Sequence, residues 1–281
     1  MSMNGARQIK SKQKAWATRR NLLSNIQFPY YLTDVDNNIF GGLNEKTESE
    51  FQKADGGELK DTKSRPAKMK ALHSSSALAV NIFQYWRGNN NIRDITAACG
   101  FCSKKNRRTF ELEFERKYTI HAKESHHPNI DVVISSNEEV VSKIYAIECK
   151  MTEPFGSSHS EVSDEYLSTD SLWLDLPALK TLAQKSKEFK YLDVAQLIKH
   201  ILGLMDEYRD KKKFLLMYLY YDVAGSDSSV HYKEIEKFKK VATIDQIDFR
   251  YLSYQELIVK LGDEYYLGNE TYCNYIRERY L

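Results

Sequence analysis

Two stretches carry residue types and spacing that could do chemistry: Pro128-Asn129-Ile130-Asp131 and Ile147-Glu148-Cys149-Lys150. Val132, Val133 and Ile134 extend the first into a β-rich run, and Ile144, Tyr145 and Ala146 lead into the second. The polar Ser135-Ser136-Asn137-Glu138-Glu139 between them makes the pair a hairpin or two adjacent strands. Strand side chains alternate, so Glu148 and Lys150 emerge on one face and Cys149 on the other. An acid and a lysine inside an apolar strand are costly to bury without partners. A divalent cation relieves that cost, because Mg2+ is commonly held by one or two carboxylates with waters and phosphate oxygens. If Asp131 and Glu148 converge, they can hold a metal against a phosphate oxygen, with the backbone carbonyl of Cys149 as a further ligand. Such a metal acts as a Lewis acid and lowers the pKa of its water, while Lys150 orients the attacking water and offsets charge on phosphorus. Glu113 or Glu115, from a preceding strand, could complete the site.

The elements that must position these residues follow from periodicity. Ser74, Ser75 and Ser76 offer N-cap oxygens to a helix through Ala77, Leu78, Ile82, Phe83 and Trp86, with Gly88 placed to end it. A short helix around Asp94–Cys99 follows. Phe110-Glu111-Leu112-Glu113-Phe114-Glu115 alternates strictly as a strand with three acids on one face. Leu176–Phe189 reads as helical. Val194, Leu197, Ile198, Ile201, Leu202 and Met205 form the clearest helical stripe, with Gln196, Lys199, His200 and Gly203 beside it. Phe214–Val223 is apolar enough for a central strand buried on both sides. Phe249–Tyr254 adds a strand, and Glu256–Leu261 and Glu270–Leu281 close the chain as helices. The order implies an α/β domain with a mixed central β-sheet flanked by helices, its first three strands antiparallel and the fourth reached by a helical crossover.

Residues 1–70 read as a separate basic, loop-rich region, an extension for DNA binding or dimerisation, and 71–281 as the catalytic domain. Residues 6–26 suit a basic helix anchored by Trp16, Leu22, Leu23 and Ile26, whereas 34–70 look loop-heavy. In 281 residues with 42% apolar and 28% charged side chains there is a real core and no apolar run near the roughly 18 residues of a membrane span. Four scattered cysteines form no disulfide framework, and no signal-peptide pattern opens the chain, so a cytoplasmic setting is expected. The net charge of +2 is uninformative, but its distribution is not. Arg7, Lys10, Lys12, Lys14, Arg19 and Arg20 precede the first acid, Asp34. Lys104, Lys105, Arg107 and Arg108 form a second basic run. Both are candidate phosphate contacts, or simply a solvated tail and loop.

On these residues the chain resembles the PD-(D/E)XK nuclease superfamily, with its restriction-endonuclease-like fold. Asp131 stands where the Pro-Asp half lies, with two residues inserted, and Glu148-Cys149-Lys150 matches the second half. Ser74–Phe83, Ile147–Phe155, Gln196–His200 and Leu252–Leu257 are similar to bacterial restriction-endonuclease-like proteins, so the likeness covers about residues 73–281. It implies phosphodiester hydrolysis of DNA with Mg2+ as cofactor and Mn2+ able to substitute. It assigns Asp131 and Glu148 as metal ligands, Lys150 as the catalytic lysine and Gln196 as a polar residue beside the site. Many members place an acid in the helix before the first strand. Ala77–Trp86 has none, and Glu113 or Glu115 would take that role.

Other features are bland by comparison. Cys99-Gly100-Phe101-Cys102 lacks a second pair for zinc. His126-His127 read as turn histidines, His200 as an interfacial histidine, Glu153 as a loop acid or a support to the site, and the C-terminal tyrosines as core. The expected activity is that of a type II-like restriction enzyme on double-stranded DNA, acting as a homodimer at a symmetric site. The alternatives are a structure-specific repair or phage-defence nuclease, or a non-cleaving DNA-binding protein on the same fold.

Overall fold

Regular apolar patterning becomes a layered α/β structure in the computed structural model, which describes residues 4–54, 57–106, 108–120, 127–136, 143–156 and 161–281. In chain order the elements are α1 (Gly5–Arg19), α2 (Glu45–Lys53), α3 (Ser75–Gly88), α4 (Ile92–Ala98), β1 (Phe110–Lys117), β2 (Asn129–Ser136) and β3 (Ile144–Lys150). After them come α5 (Asp164–Leu167), α6 (Pro177–Ala183), α7 (Val194–Tyr208), β4 (Phe214–Tyr220), α8 (Ser226–Ile244), β5 (Phe249–Ser253), α9 (Tyr254–Glu264) and α10 (Glu270–Tyr280). The strands lie side by side in sequence order. The β1–β2 and β2–β3 pairs are antiparallel, and β3–β4 and β4–β5 are parallel. The mixed sheet with a helical crossover into the fourth strand is the architecture expected.

Alternation along the strands sorts the core into two layers. Leu112, Phe114, Val132, Ile134, Ile147, Cys149, Met217 and Leu219 pack toward α3, α4, α9 and α10. Val133, Ala146, Leu216 and Tyr218 pack toward α6, α7 and α8. Glu148 and Lys150 share the second face, so α7 is the helix that meets them. The site's helices are pinned at their starts. The Ser74 hydroxyl accepts the Ala77 N–H at 3.2 Å, and Asp193 accepts the Gln196 N–H at 2.9 Å.

The structure departs from the sequence expectations in four places. The basic helix stops at Arg19, because Asn21 turns into the left-handed region (φ 53°). Of its expected anchors Trp16 is buried, but Leu23 and Ile26 stand in solvent. The loop-heavy stretch contains α2, capped by Asn44 on Thr47 N–H at 2.8 Å and docked on β1 through Phe51 against Phe114. The segment 176–189 breaks after Ala183 into a 3-10 turn. The 19-residue α8 was unexpected altogether; it follows Gly225, whose φ of +98° suits only glycine. Among the described residues no helix is long and apolar enough to cross a membrane.

Residues before position 71 enter the main core through Ile9, Ile39, Phe51 and Met69. The clasp holding them is Arg279 of α10, which is fully buried. Its guanidinium donates to Asn38 O (2.7 Å), Tyr275 Oη (2.6 Å), Gln13 Oε1 (3.2 Å) and the Asn38 side chain, and lies 4.2 Å over the Trp16 ring. Neutral acceptors and a ring face thus satisfy a buried cation that has no carboxylate partner among the described residues. Replacing it strands several buried acceptors. Arg279→Met is expected to cost about 3 kcal/mol, read as a lower urea midpoint at unchanged slope. A loss near zero would show that this clasp does not hold the N-terminal segment.

Candidate active site

The geometry of the site begins with two interrupted ladders. The β1–β2 register pairs Phe114 with Val132 and Arg116 with Ile130, which sets Glu115 opposite Asp131, yet that pair is not formed. The β2–β3 register ends at Val132–Ile147, one step short of setting Asp131 opposite Glu148. Glu115 is in the left-handed region (φ 53°), a conformation costing a non-glycine residue about 1 kcal/mol or more. Asp131 spends Oδ2 on the Cys149 N–H at 2.6 Å, replacing a lost rung with a side-chain acceptor. The Cys149 carbonyl points the same way along the strand edge as its N–H, toward this opening. Three carboxylates therefore stand abreast on three neighbouring strands.

Their environments differ. Glu148 is wholly buried; its Oε1 lies 2.6 Å from Lys150 Nζ and its Oε2 2.7 Å from His200 Nε2. Burial alone would raise its pKa, but the Lys150 charge and the His200 contact hold it down to about 2. The ionised carboxylate accepts, so the His200 Nε2–H donates. Lys150 is opposed by burial, yet Glu148, Asp131 and Glu153 keep it charged well above the usual lysine range. Asp131 is pushed well up by burial and by Glu148 and Glu115. Burial and the charges of Glu58 and Glu148 raise Glu115 from 4.5 to about 7.

Beside this row, α7 sits unusually close to the sheet. A Cβ on Gly203 would lie 2.9 Å from Tyr118 Cβ and 3.1 Å from Pro128 Cγ, so only glycine permits this approach. One turn earlier, the close approach delivers His200 to Glu148, and one turn before that, Gln196. A cavity of about 200 Å3 opens there, lined by Lys150, Glu153, Tyr191, Asp193, Gln196 and Tyr218. Glu153 braces its rim, accepting the Met151 N–H at 2.9 Å and the Ser75 hydroxyl of α3 at 2.7 Å.

Asp131, Glu148, Lys150, Glu115 and Gln196 are thus brought into one region. Glu113 is not; it pairs with Arg116 at 3.1 Å on the open side of β1. No acid comes from α3 itself. Glu58 instead docks against that helix, accepting the Ser76 hydroxyl at 3.3 Å and pairing with Lys68 at 2.7 Å. The proposed phosphate contacts lie apart. Lys104 pairs with Glu264 at 2.6 Å and covers Tyr265, Lys105 is exposed, and Arg108 is half-buried. That run leads into Phe110, at the opposite end of the sheet from Glu115. Arg107 and His126 lie outside the described residues, and His127 caps the Ile120 N–H. Arg20 is bound by Glu278, whereas Arg19 is exposed. Sequence reasoning undervalued His200, although its i+4 spacing from Gln196 on one helix face was a usable signal. Glu58 carried no signal, since its role depends on a loop folding onto α3.

Among the described residues no group of three or more His, Cys, Asp or Glu side chains is disposed to enclose a metal ion. The oxygen donors present, Asp131 and Glu148 with the Cys149 carbonyl, nevertheless suit Mg2+, which keeps most of its shell as water and phosphate oxygen. A mixed sheet between helical layers, with neighbouring strands presenting carboxylates and a lysine ending the third, is compatible with a restriction-endonuclease-like core. The chain belongs to the family described as restriction endonuclease associating with ARP, whose model matches residues 10–281. No curated protein and no solved structure matches it significantly.

The raised Glu115 fixes a pH dependence. Between about 4.5 and 7 the folded chain binds a proton that the unfolded chain has released, so stability falls as pH rises through this window. In EDTA the wild type should lose on the order of 2 kcal/mol between pH 5 and 8, by urea titration at each pH. Glu115→Gln should make that slope shallower without abolishing it, because burial and like charge raise Asp131 in the same direction. An equally steep variant would show that another group carries it.

Proposed function

We propose that this protein is a Mg2+-dependent endonuclease of the PD-(D/E)XK type, with Mn2+ able to substitute, hydrolysing phosphodiester bonds of double-stranded DNA as a type II-like restriction enzyme. The observation carrying this reading is the break in both ladders at Glu115, Asp131 and Glu148 beside a charged Lys150. A sheet gives up rungs and accumulates like charge only against stability, and a bound cation and phosphate are what would repay that. Membership in a restriction-endonuclease family supports the same reading.

Asp131 and Glu148 would hold the metal with the Cys149 carbonyl. Bound there, Mg2+ would supply Lewis acidity toward the scissile phosphate. The chain's own groups do the rest. Lys150 faces the cavity with its ammonium fixed by Glu148, so a donor is aimed before substrate arrives. His200 holds the other oxygen of Glu148 and keeps that carboxylate from rotating. Gln196 lines the same cavity, where its amide can orient a water toward phosphorus. Glu115 adds negative charge that favours cation binding. Cutting both strands of a symmetric site calls for two copies related by a two-fold axis.

Asp131→Ala and Glu148→Ala should each lower Mg2+-dependent cleavage of plasmid DNA by at least about 100-fold while duplex binding in Ca2+ persists. Efficient cutting by either purified variant would overturn the site. Discrete bands from a sequenced plasmid, followed by end mapping, would support site-specific cutting. A wild type that binds duplex and leaves it whole in Mg2+ and Mn2+ would refute the enzyme reading.

A further inference from the structure

The N-terminal helix carries charge that nothing within the fold explains. α1 contains no acid, and Arg7, Lys10 and Lys14 fall at i, i+3 and i+7, on one face of the helix. The opposite face holds Ile9, Gln13, Trp16 and Ala17 in the core. Like charges three and four residues apart weaken a helix, and Arg7 sits in the first turn, against the positive end of the dipole. Among the described residues no carboxylate pairs with any of the three; Lys14 lies 5.3 Å over the Tyr30 ring. Lys10 stands near enough to half-buried His73 to help burial press its pKa down to about 4. Among the described residues only the Tyr30 ring under Lys14 offsets this charge, and no carboxylate does.

The helix itself starts at the end of the sheet that carries Lys150. Gly5 abuts Phe155, whose ring would be 2.6 Å from a Cβ there. Its N–H donates to Asp227 Oδ2 at 2.9 Å, and Asp227 Oδ1 accepts the hydroxyl of Tyr191, a wall of the Lys150 cavity, at 2.8 Å. Farther along, the Lys10 neighbour His73 accepts the Thr152 hydroxyl through its carbonyl at 3.5 Å, two residues past Lys150. The helix α1 therefore stands at the end of the sheet that carries Lys150, with Lys10 on the side of His73 and Thr152, whereas the Lys104–Arg108 run lies at the far end.

We propose that Arg7, Lys10 and Lys14 form a rail that grips consecutive phosphates of duplex DNA next to the scissile one. Seven helical residues rise about 10 Å, which is about three steps of 3.4 Å axial rise and so spans roughly four phosphates of one strand. The inference deepens the nuclease reading and rests on it, because duplex DNA is its ligand. The rail fixes orientation on the backbone and reads no sequence.

The test is binding of a fluorescein-labelled random-sequence duplex in Ca2+ between about 50 and 200 mM salt. The triple variant Arg7→Gln, Lys10→Gln, Lys14→Gln should bind on the order of 100-fold more weakly near 0.15 M salt. Its slope of log affinity on log salt should be shallower by about 2 to 3. A control variant, Lys105→Gln with Arg108→Gln, should leave slope and affinity near wild type. A melting temperature of the triple variant at or above that of the wild type establishes that it is folded. A folded triple variant with the wild-type slope overturns the rail while leaving the nuclease reading intact. A wild type that neither binds nor cuts duplex overturns the nuclease reading itself, and the rail with it.

Discussion

A carboxylate buried to zero exposure in the third strand is the constraint on which the rest of the structure depends. Glu148 cannot be left alone in that environment, since an unpaired buried charge costs several kcal/mol. Its two oxygens are met from two directions, by Lys150 on its own strand and by His200 from α7. Satisfying the second oxygen fixes how near α7 must come, and that distance demands glycine at position 203. The same approach puts Gln196 on the wall of the cavity. One electrostatic requirement thus sets the crossover helix's height over the sheet, and the site inherits its shape.

The neighbouring acids solve a different problem. Family resemblance leads one to expect an acid in the helix before the first strand, and α3 has none. Glu58 occupies the flank of that helix through Ser76, and its charge, with that of Glu148, reaches Glu115. Negative charge around Glu115 is therefore assembled from a loop and the strands rather than from α3. This places residues before position 71 in electrostatic contact with the candidate site. Lys68 offsets part of that charge from the same segment.

Much of the fold was legible because burial enforces period. The strands around Asp131 and Glu148, the α7 stripe and the Phe214 run are deeply buried, so apolar residues recur without interruption. The α8 helix was missed for the opposite reason. It buries only His231, Ile235, Phe238 and Ala242, a narrow seam at spacings of four, three and four, hidden among Ser, Lys and Glu. The helix α2 was obscured likewise, with Thr47 and Phe51 alone buried. For the site, Asp131, Glu148 and Lys150 stood out because charge inside apolar strands is rare. Choosing between Glu113 and Glu115 was beyond strict alternation, which puts both on one face. The left-handed turn at Glu115 and the Arg116 pair at Glu113 separate them. Ion pairs such as Lys104–Glu264 and Arg20–Glu278 join distant segments and leave no local trace.

The Arg279 clasp has a kinetic meaning. It joins α10 to Gln13 and Trp16 of α1, among the most distant contacts in sequence that the chain makes. Contacts of such separation form late and slow folding, because a long loop must close before they reward it. During synthesis, at about 5–20 residues per second, α1 emerges first and waits for Arg279 before it can lock down. The helix that braces Phe155 and, through Asp227, Tyr191 therefore lacks its clasp on any chain that stops short of Arg279. The wall of the cavity beside Lys150 thus leans on a helix whose clasp forms only after Arg279 has been made, which ties assembly of the site to the order of translation.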